Sequence, residues 1–200
     1  GLHVELVEGE LDGDYTMQIG VRSETRSAQD RAPVNLTLIV DTSGSMGGQP
    51  IELLKESCRA IAASLQDGDT VSMVEWDTQN AVILAGYEVS GPNDATLMAE
   101  INKLQANGGT NLNGGLVAGY DLANQVYDAD RINRAILISD GGANAGITEV
   151  DLIAENASLS GDDGVYLVGV GVGDDSYNDD LMDRVTDAGK GAAVFIGDEA

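Results

Sequence analysis

Asp41, Ser43 and Ser45 alternate in the stretch Val40-Asp41-Thr42-Ser43-Gly44-Ser45-Met46, offering three side-chain oxygens from one turn. A carboxylate and two hydroxyls directly after an apolar run need hydrogen bonds or a cation if they are buried. Two more oxygen-bearing side chains sit in comparable places. Thr110 lies in Ala106-Asn107-Gly108-Gly109-Thr110-Asn111, and Asp140 ends the run Ile136-Leu137-Ile138-Ser139. Three hydroxyls and two carboxylates make an all-oxygen set, which suits a hard cation and not a nucleophile. Magnesium prefers near-octahedral oxygen and keeps some waters, so five protein groups with one open position fit it better than calcium. Zinc would want His or Cys nearby.

Such a set works only if the fold brings its members to one edge. Val34 to Val40 is almost wholly apolar, the pattern of a central strand covered by helices on both faces. Pro50 suits the first turn of a helix that runs to about Leu65. Its apolar series, Ile51, Leu54, Cys58, Ile61 and Leu65, has the three-and-four spacing of one buried helix face, which makes Cys58 a core residue. Asp67-Gly68-Asp69 reads as a turn and Thr70 to Trp76 as a strand. Asn80 to Tyr87 is a further strand, reached by a connection so short that it must run antiparallel. Helices are expected at about 94–104 and from Leu112 to Tyr127. A buried strand covers Arg134 to Ser139, a helix Glu149 to Ser158, and a strand Val165 to Val172. A helix from Tyr177 to Ala188 and a strand from Ala192 to Ile196 complete the series.

This rhythm predicts an α/β fold: a doubly wound, mostly parallel six-stranded sheet with one antiparallel edge strand and helices on both faces. Ligands of such sheets bind outside the carboxyl ends of the strands, where all five oxygen-bearing residues fall. Residues 1–32 form a preceding β-hairpin and arm, with alternation at Leu2, Val4, Leu6 and at Tyr15, Met17, Ile19, Val21. The hairpin is either an edge added to the main sheet or the remnant of a neighbouring β domain. Residues 33–200 form the main domain.

Composition narrows the partners. Thirty-four acids face ten bases, for a net charge of −24. Such a field disfavours nucleic acid and anionic membranes. No apolar run reaches the length of a membrane span, so no direct membrane insertion is expected. The excess acid reads as a solvated surface, or as adaptation to high salt. A chain that starts at Gly1 and not at Met reads as part of a longer protein.

Asp41-x-Ser43-x-Ser45, the Gly-Gly-Thr-Asn loop carrying Thr110, and Ile-Ser-Asp-Gly carrying Asp140 resemble the metal-ion-dependent adhesion site of von Willebrand factor type A domains. The resemblance runs from about Val34 to Gly197 and is nearest to bacterial members and the heavy chains of inter-alpha-trypsin inhibitors. It implies that Ser43, Ser45 and Thr110 supply hydroxyls to Mg2+, with Mn2+ or Ca2+ as alternatives, and that Asp41 and Asp140 act largely through bound water. A protein partner presenting Asp or Glu would complete the coordination. The function implied is adhesion or assembly, with an extracytoplasmic location. The other reading is a structural domain whose metal only orders loops. Ala200 follows the last expected strand directly, so the resemblance implies a domain short of its last helix, unable to switch by displacing it.

Enzyme readings fit the residues poorly. A haloacid-dehalogenase-like phosphatase needs a second acid where Ser43 stands, and a lysine for the phosphoryl charge. Ser43 or Ser45 as a nucleophile lacks a base, since the one histidine, His3, lies in the hairpin. Gly169-Val-Gly171-Val-Gly173 is half a dinucleotide fingerprint, but Asp174 and Asp175 follow where a pyrophosphate would sit. Asp77, Asp174 and Asp175 read as solvated turn residues; an auxiliary cation there is the sharper alternative. A non-catalytic module is expected.

Overall fold

The computed structural model describes residues 2–8, 15–21, 31–141, 150–153, 155, 164–173 and 179–197. The chain divides into two compact units, Gly1–Arg31 and Ala32–Ala200. In the first, β1 (Leu2–Glu8) and β2 (Tyr15–Val21) pair antiparallel, with Leu6 opposite Met17 and Val4 opposite Ile19. They form a two-stranded sheet of their own, so the hairpin is not an edge of the main sheet.

The second unit holds β3 (Val34–Asp41), β4 (Asp67–Trp76), β5 (Asn80–Ser90), β6 (Ile132–Ser139), β7 (Tyr166–Gly173) and β8 (Ala193–Gly197). Its helices are α1 (Gln49–Ser64), α2 (Ala95–Lys103), α3 (Leu112–Gln125) and α4 (Asp179–Ala188). The sheet order is β5-β4-β3-β6-β7-β8, parallel except for the β4–β5 pair. The chain enters at the middle with β3, builds outward through β4 and β5, then returns to β3's other side with β6. Loops leaving β3 and β6 therefore flank the switch point of the sheet.

Alternation along the strands sends side chains to two cores. Leu38 and Val40 join Leu54, Cys58, Leu97 and Ile101 beneath α1 and α2. Ile39 and Leu137 join Leu116, Tyr120, Met182 and Val185 beneath α3 and α4. Cys58 is fully buried, and burial pushes its thiol up to about 12, so it is a core residue and not a reactive one.

Local chemistry sets the helix starts. Gly48, at φ +89°, precedes α1 in a conformation that favours glycine, and Pro50 falls in the first turn. Asp94 caps α2 by accepting from the Thr96 and Leu97 amides. Asn111 caps α3 by accepting from the Gly114 amide at 3.0 Å. Helix α3 carries glycines where it meets the sheet: a Cβ on Gly115 would lie 2.6 Å from the Trp76 side chain, and one on Gly119 would lie 2.4 Å from Ile39 Cδ1. Close approach outweighs the helix-propensity cost of about 1 kcal/mol per glycine.

Two element readings change. Asp67 to Asp69 belongs to β4, as an irregularity in its pairing with β5. Gly68 at φ +85° makes the kink, and buried Asp69 accepts from the Val34 and Gln66 amides, so the turn chemistry is real but sits inside a strand. Strand β5 also continues beyond Tyr87, to Ser90. Residues 150–153 are helical, while most of the expected 149–158 helix lies outside the described residues, as do Asp174 and Asp175.

Candidate metal centre

Strand β3 ends in Asp41, and the chain then turns through Thr42 and Ser43 into a 3-10 turn at Gly44–Met46. The turn is anchored from both sides. The Thr42 amide and hydroxyl both donate to the Trp76 carbonyl at the end of β4, at 2.9 and 3.3 Å. On the other flank, the Asn107 amide donates to the Thr42 carbonyl at 2.7 Å and the Gly44 amide to the Gly108 carbonyl at 3.2 Å. The loop that carries Thr110 is thereby fastened to the loop that carries Ser43 and Ser45.

Asp41 and Ser43 are buried, at 0% and 1% exposure, whereas Ser45 is exposed. The two hydroxyls lie 3.1 Å apart. Asp41 Oδ1 accepts from the Ser43 amide at 2.9 Å, and Oδ2 accepts from the Ser139 hydroxyl at 2.6 Å across the β3–β6 pair. Burial nevertheless pushes the Asp41 carboxyl up to about 6; the bonds from Ser139 and Ser43 oppose the rise, and the charge of Asp140 adds to it. None of the ion pairs among the described residues involves Asp41.

Asp140 follows β6 directly, is half-buried, and is near enough to Asp41 for their charges to oppose each other. Thr110 is exposed, next to the Asn111 cap of α3, and donates no hydrogen bond within the described residues. Asp41, Ser43, Ser45 and Asp140 thus share the switch point, and Thr110 rides a loop bonded to it. Among the described residues no three His, Cys, Asp or Glu side chains cluster, so any cation here would depend on hydroxyls.

The donor set fits a hard divalent ion on one observation above the rest: a buried carboxylate, repelled by a second acid, lacks any cationic neighbour beside a pair of converging hydroxyls. A divalent cation would satisfy all three conditions at once.

Residues that sequence reading passed over hold this edge together. Ser139 orients Asp41, and its oxygen also accepts the Gly141 amide at 3.1 Å. Thr78 accepts the Gly109 amide at 2.6 Å, and the Asp77 carbonyl accepts the Asn111 amide at 2.7 Å. Asp77 Oδ1 accepts the Gln79 amide at 2.8 Å, which makes it a turn residue, as expected. The one visible signal for Ser139 was a hydroxyl closing an otherwise apolar strand.

A six-stranded open sheet with an oxygen-rich loop at its switch point defines an α/β binding domain. Residues 35–200 match the von Willebrand factor type A domain, and the chain belongs to that family. YfbK of Escherichia coli (strain K12) is 29% identical over 181 residues, covering 90% of this chain and 31% of YfbK. Mouse inter-alpha-trypsin inhibitor heavy chain H2 is 28% identical over 174 residues, covering 84% of this chain and 18% of that protein. The chain therefore spans less than half the length of either relative. Among solved structures, a von Willebrand factor type A protein from Catenulispora acidiphila superposes with a TM-score of 0.70 at 20% identity, covering 84% of this chain and 39% of that one. Proximal thread matrix protein 1 from the mussel byssus, with a zinc-occupied MIDAS motif, superposes at 0.63 with 16% identity, covering 82% and 42%.

Proposed function

We propose that the domain is a non-catalytic, metal-dependent protein-binding module for adhesion or assembly. Asp41, Ser43, Ser45, Thr110 and Asp140 would hold one divalent cation, with Mg2+ favoured by the hard, all-oxygen donors and Mn2+ or Ca2+ as alternatives. The buried, uncompensated Asp41 beside the Ser43–Ser45 hydroxyl pair carries this reading. The zinc-occupied MIDAS motif of the mussel protein supports a divalent ion at this place in the fold.

When bound, the cation supplies an exposed positive centre for a partner's Asp or Glu carboxylate. The chain's own residues do the rest. Ser139 and the Ser43 amide orient Asp41, Thr42 anchors the loop to β4, and Gly44–Gly108 pairing keeps the two loops together. Neutral hydroxyls leave the ion's charge less quenched than further carboxylates would. The −24 field opposes an acidic partner at long range, but beyond about 8 Å at physiological salt it is largely screened. The location would be extracytoplasmic, as for the inhibitor heavy chains the sequence resembles; no helix of the described residues is long and apolar enough to cross a membrane.

Capture of native partners on the immobilised domain tests the reading. Retention in Mg2+, with loss in EDTA and in Thr110→Ala, supports it. Partners that stay bound in EDTA and on Thr110→Ala alike would leave the metal with a loop-ordering role only.

A further inference from the structure

The opposite end of the sheet reverses the chain's charge. Around the N-terminal ends of β6 and β7 lies a cavity of about 180 Å3 whose walls include Tyr127, Arg131, Arg134, Gly164 and Tyr166 and contain no carboxylate. In a chain with 34 acids and ten bases, that composition is the exception.

Its two arginines are not equivalent. Arg131 is committed to the fold: Nη1 donates to Asn35 Oδ1, the Gly68 carbonyl and Thr70 Oγ1 at 3.0 to 3.2 Å, and Nε lies 3.8 Å from Asp128. Arg134 donates from Nη1 to the Asn133 carbonyl at 2.7 Å and forms no ion pair among the described residues. Its guanidinium stands 4.8 Å from the centroid of the Tyr166 ring. Lys190 comes to the same ring, with Nζ 6.0 Å from the centroid, and also lacks an ion pair among the described residues.

The fold holds Lys190 there at a cost. It sits at φ +50° between Gly189 and Gly191, a conformation unfavourable for a side-chain-bearing residue. The turn is fastened to β7 because the Leu167 amide donates to the Gly189 carbonyl and the Gly169 amide to the Ala192 carbonyl, at 3.1 and 3.0 Å. A Cβ on Gly191 would lie 1.6 Å from the Leu167 carbonyl oxygen, so the turn cannot move off the strand.

Two cations that share one tyrosine ring and lack a counter-charge repel each other, and a bound anion relieves this. A guanidinium fork beside an ammonium is matched to a compact dianion with several acceptor oxygens. The cavity is smaller than the 300 Å3 or more typical of drug-sized ligands, and the chain's net charge opposes a long polyanion. We propose that this basal cavity binds a small oxyanion of the phosphate class, held by Arg134 and Lys190 over Tyr166. The site is independent of the metal centre.

Titration of the full 200-residue chain with inorganic phosphate tests this, followed by amide chemical shifts at pH 7.5 in EDTA with ionic strength held constant by sodium chloride. The expected result is saturable shifts confined to residues 127–134, 164–167 and 189–192. Arg134→Gln and Lys190→Gln should each weaken binding at least tenfold, while Thr110→Ala should leave it unchanged. Lys190 is exposed, so its substitution keeps the test valid if Arg134→Gln fails to fold. Sulfate should bind and acetate should bind more weakly. Non-saturating shifts, shifts equal to those in chloride, an unchanged Lys190→Gln titration, or acetate binding as tightly as phosphate would each overturn the proposal.

Discussion

The hydroxyl of Ser139 donates to Asp41 Oδ2 at 2.6 Å, joining the ends of two adjacent parallel strands through one buried bond. The bond supports a carboxylate that burial would otherwise protonate more readily, and it fixes which way that carboxylate faces.

Ser139→Ala removes this donor and the acceptor of the Gly141 amide together. A hydrogen bond to a buried charged group contributes about 1.5–3 kcal/mol, so the metal-free domain should lose stability on that order at neutral pH. Denaturant unfolding in EDTA checks this. The loss should shrink near pH 4, where Asp41 is protonated in the folded protein.

Asp41 also sets a pH dependence of unusual sign. Its folded value, about 6, lies above the ordinary 3.8, so the folded state binds more protons across that window. The metal-free domain should therefore gain stability from this group as pH falls from about 7 toward 4, and lose it as pH rises. Asp41→Asn should remove the dependence and stabilise the metal-free domain at pH 7 by at most about 3 kcal/mol. The measurement is the difference between wild-type and Asp41→Asn unfolding free energies against pH in EDTA, which cancels the general relief of charge repulsion. A wild-type deficit that is flat from pH 4 to 8 would refute the assignment.

Much of this was legible in the chain because β3 is a continuous apolar run, and such a run ending in Asp-x-Ser-x-Ser has few other readings. The antiparallel β5 followed from the short link after Trp76. What stayed hidden depends on strand pairing. Ser139 matters because β6 lies beside β3 in register, and Lys190 reaches Tyr166 because β8's preceding turn is tied to β7. The Asp67–Asp69 kink was misplaced for a related reason: turn residues within a strand look the same as turn residues between elements until the partner strand is known.

Gly108 offers a test of how the Thr110 loop is held. Its φ is +72°, and a Cβ there would lie 2.8 Å from Thr78 Oγ1 and 3.0 Å from the Asp77 carboxylate. Gly108→Ala should cost about 1–2 kcal/mol in backbone strain. It should also push the loop off the 42–44 segment, lowering divalent-cation affinity by tenfold or more. Calorimetric titration of the variant with Mg2+ checks the second effect, and thermal unfolding in EDTA the first.

Isothermal titration of Mn2+ into the wild-type domain at physiological ionic strength probes the assembled oxygen set most directly. One saturable site per chain is expected, lost in Asp41→Asn and weakened at least tenfold in Thr110→Ala and in Asp140→Asn. Diffuse, non-saturating uptake by the acidic surface, or a single site untouched by those three substitutions, would contradict a cation held jointly by the ends of β3 and β6 and the loop before α3.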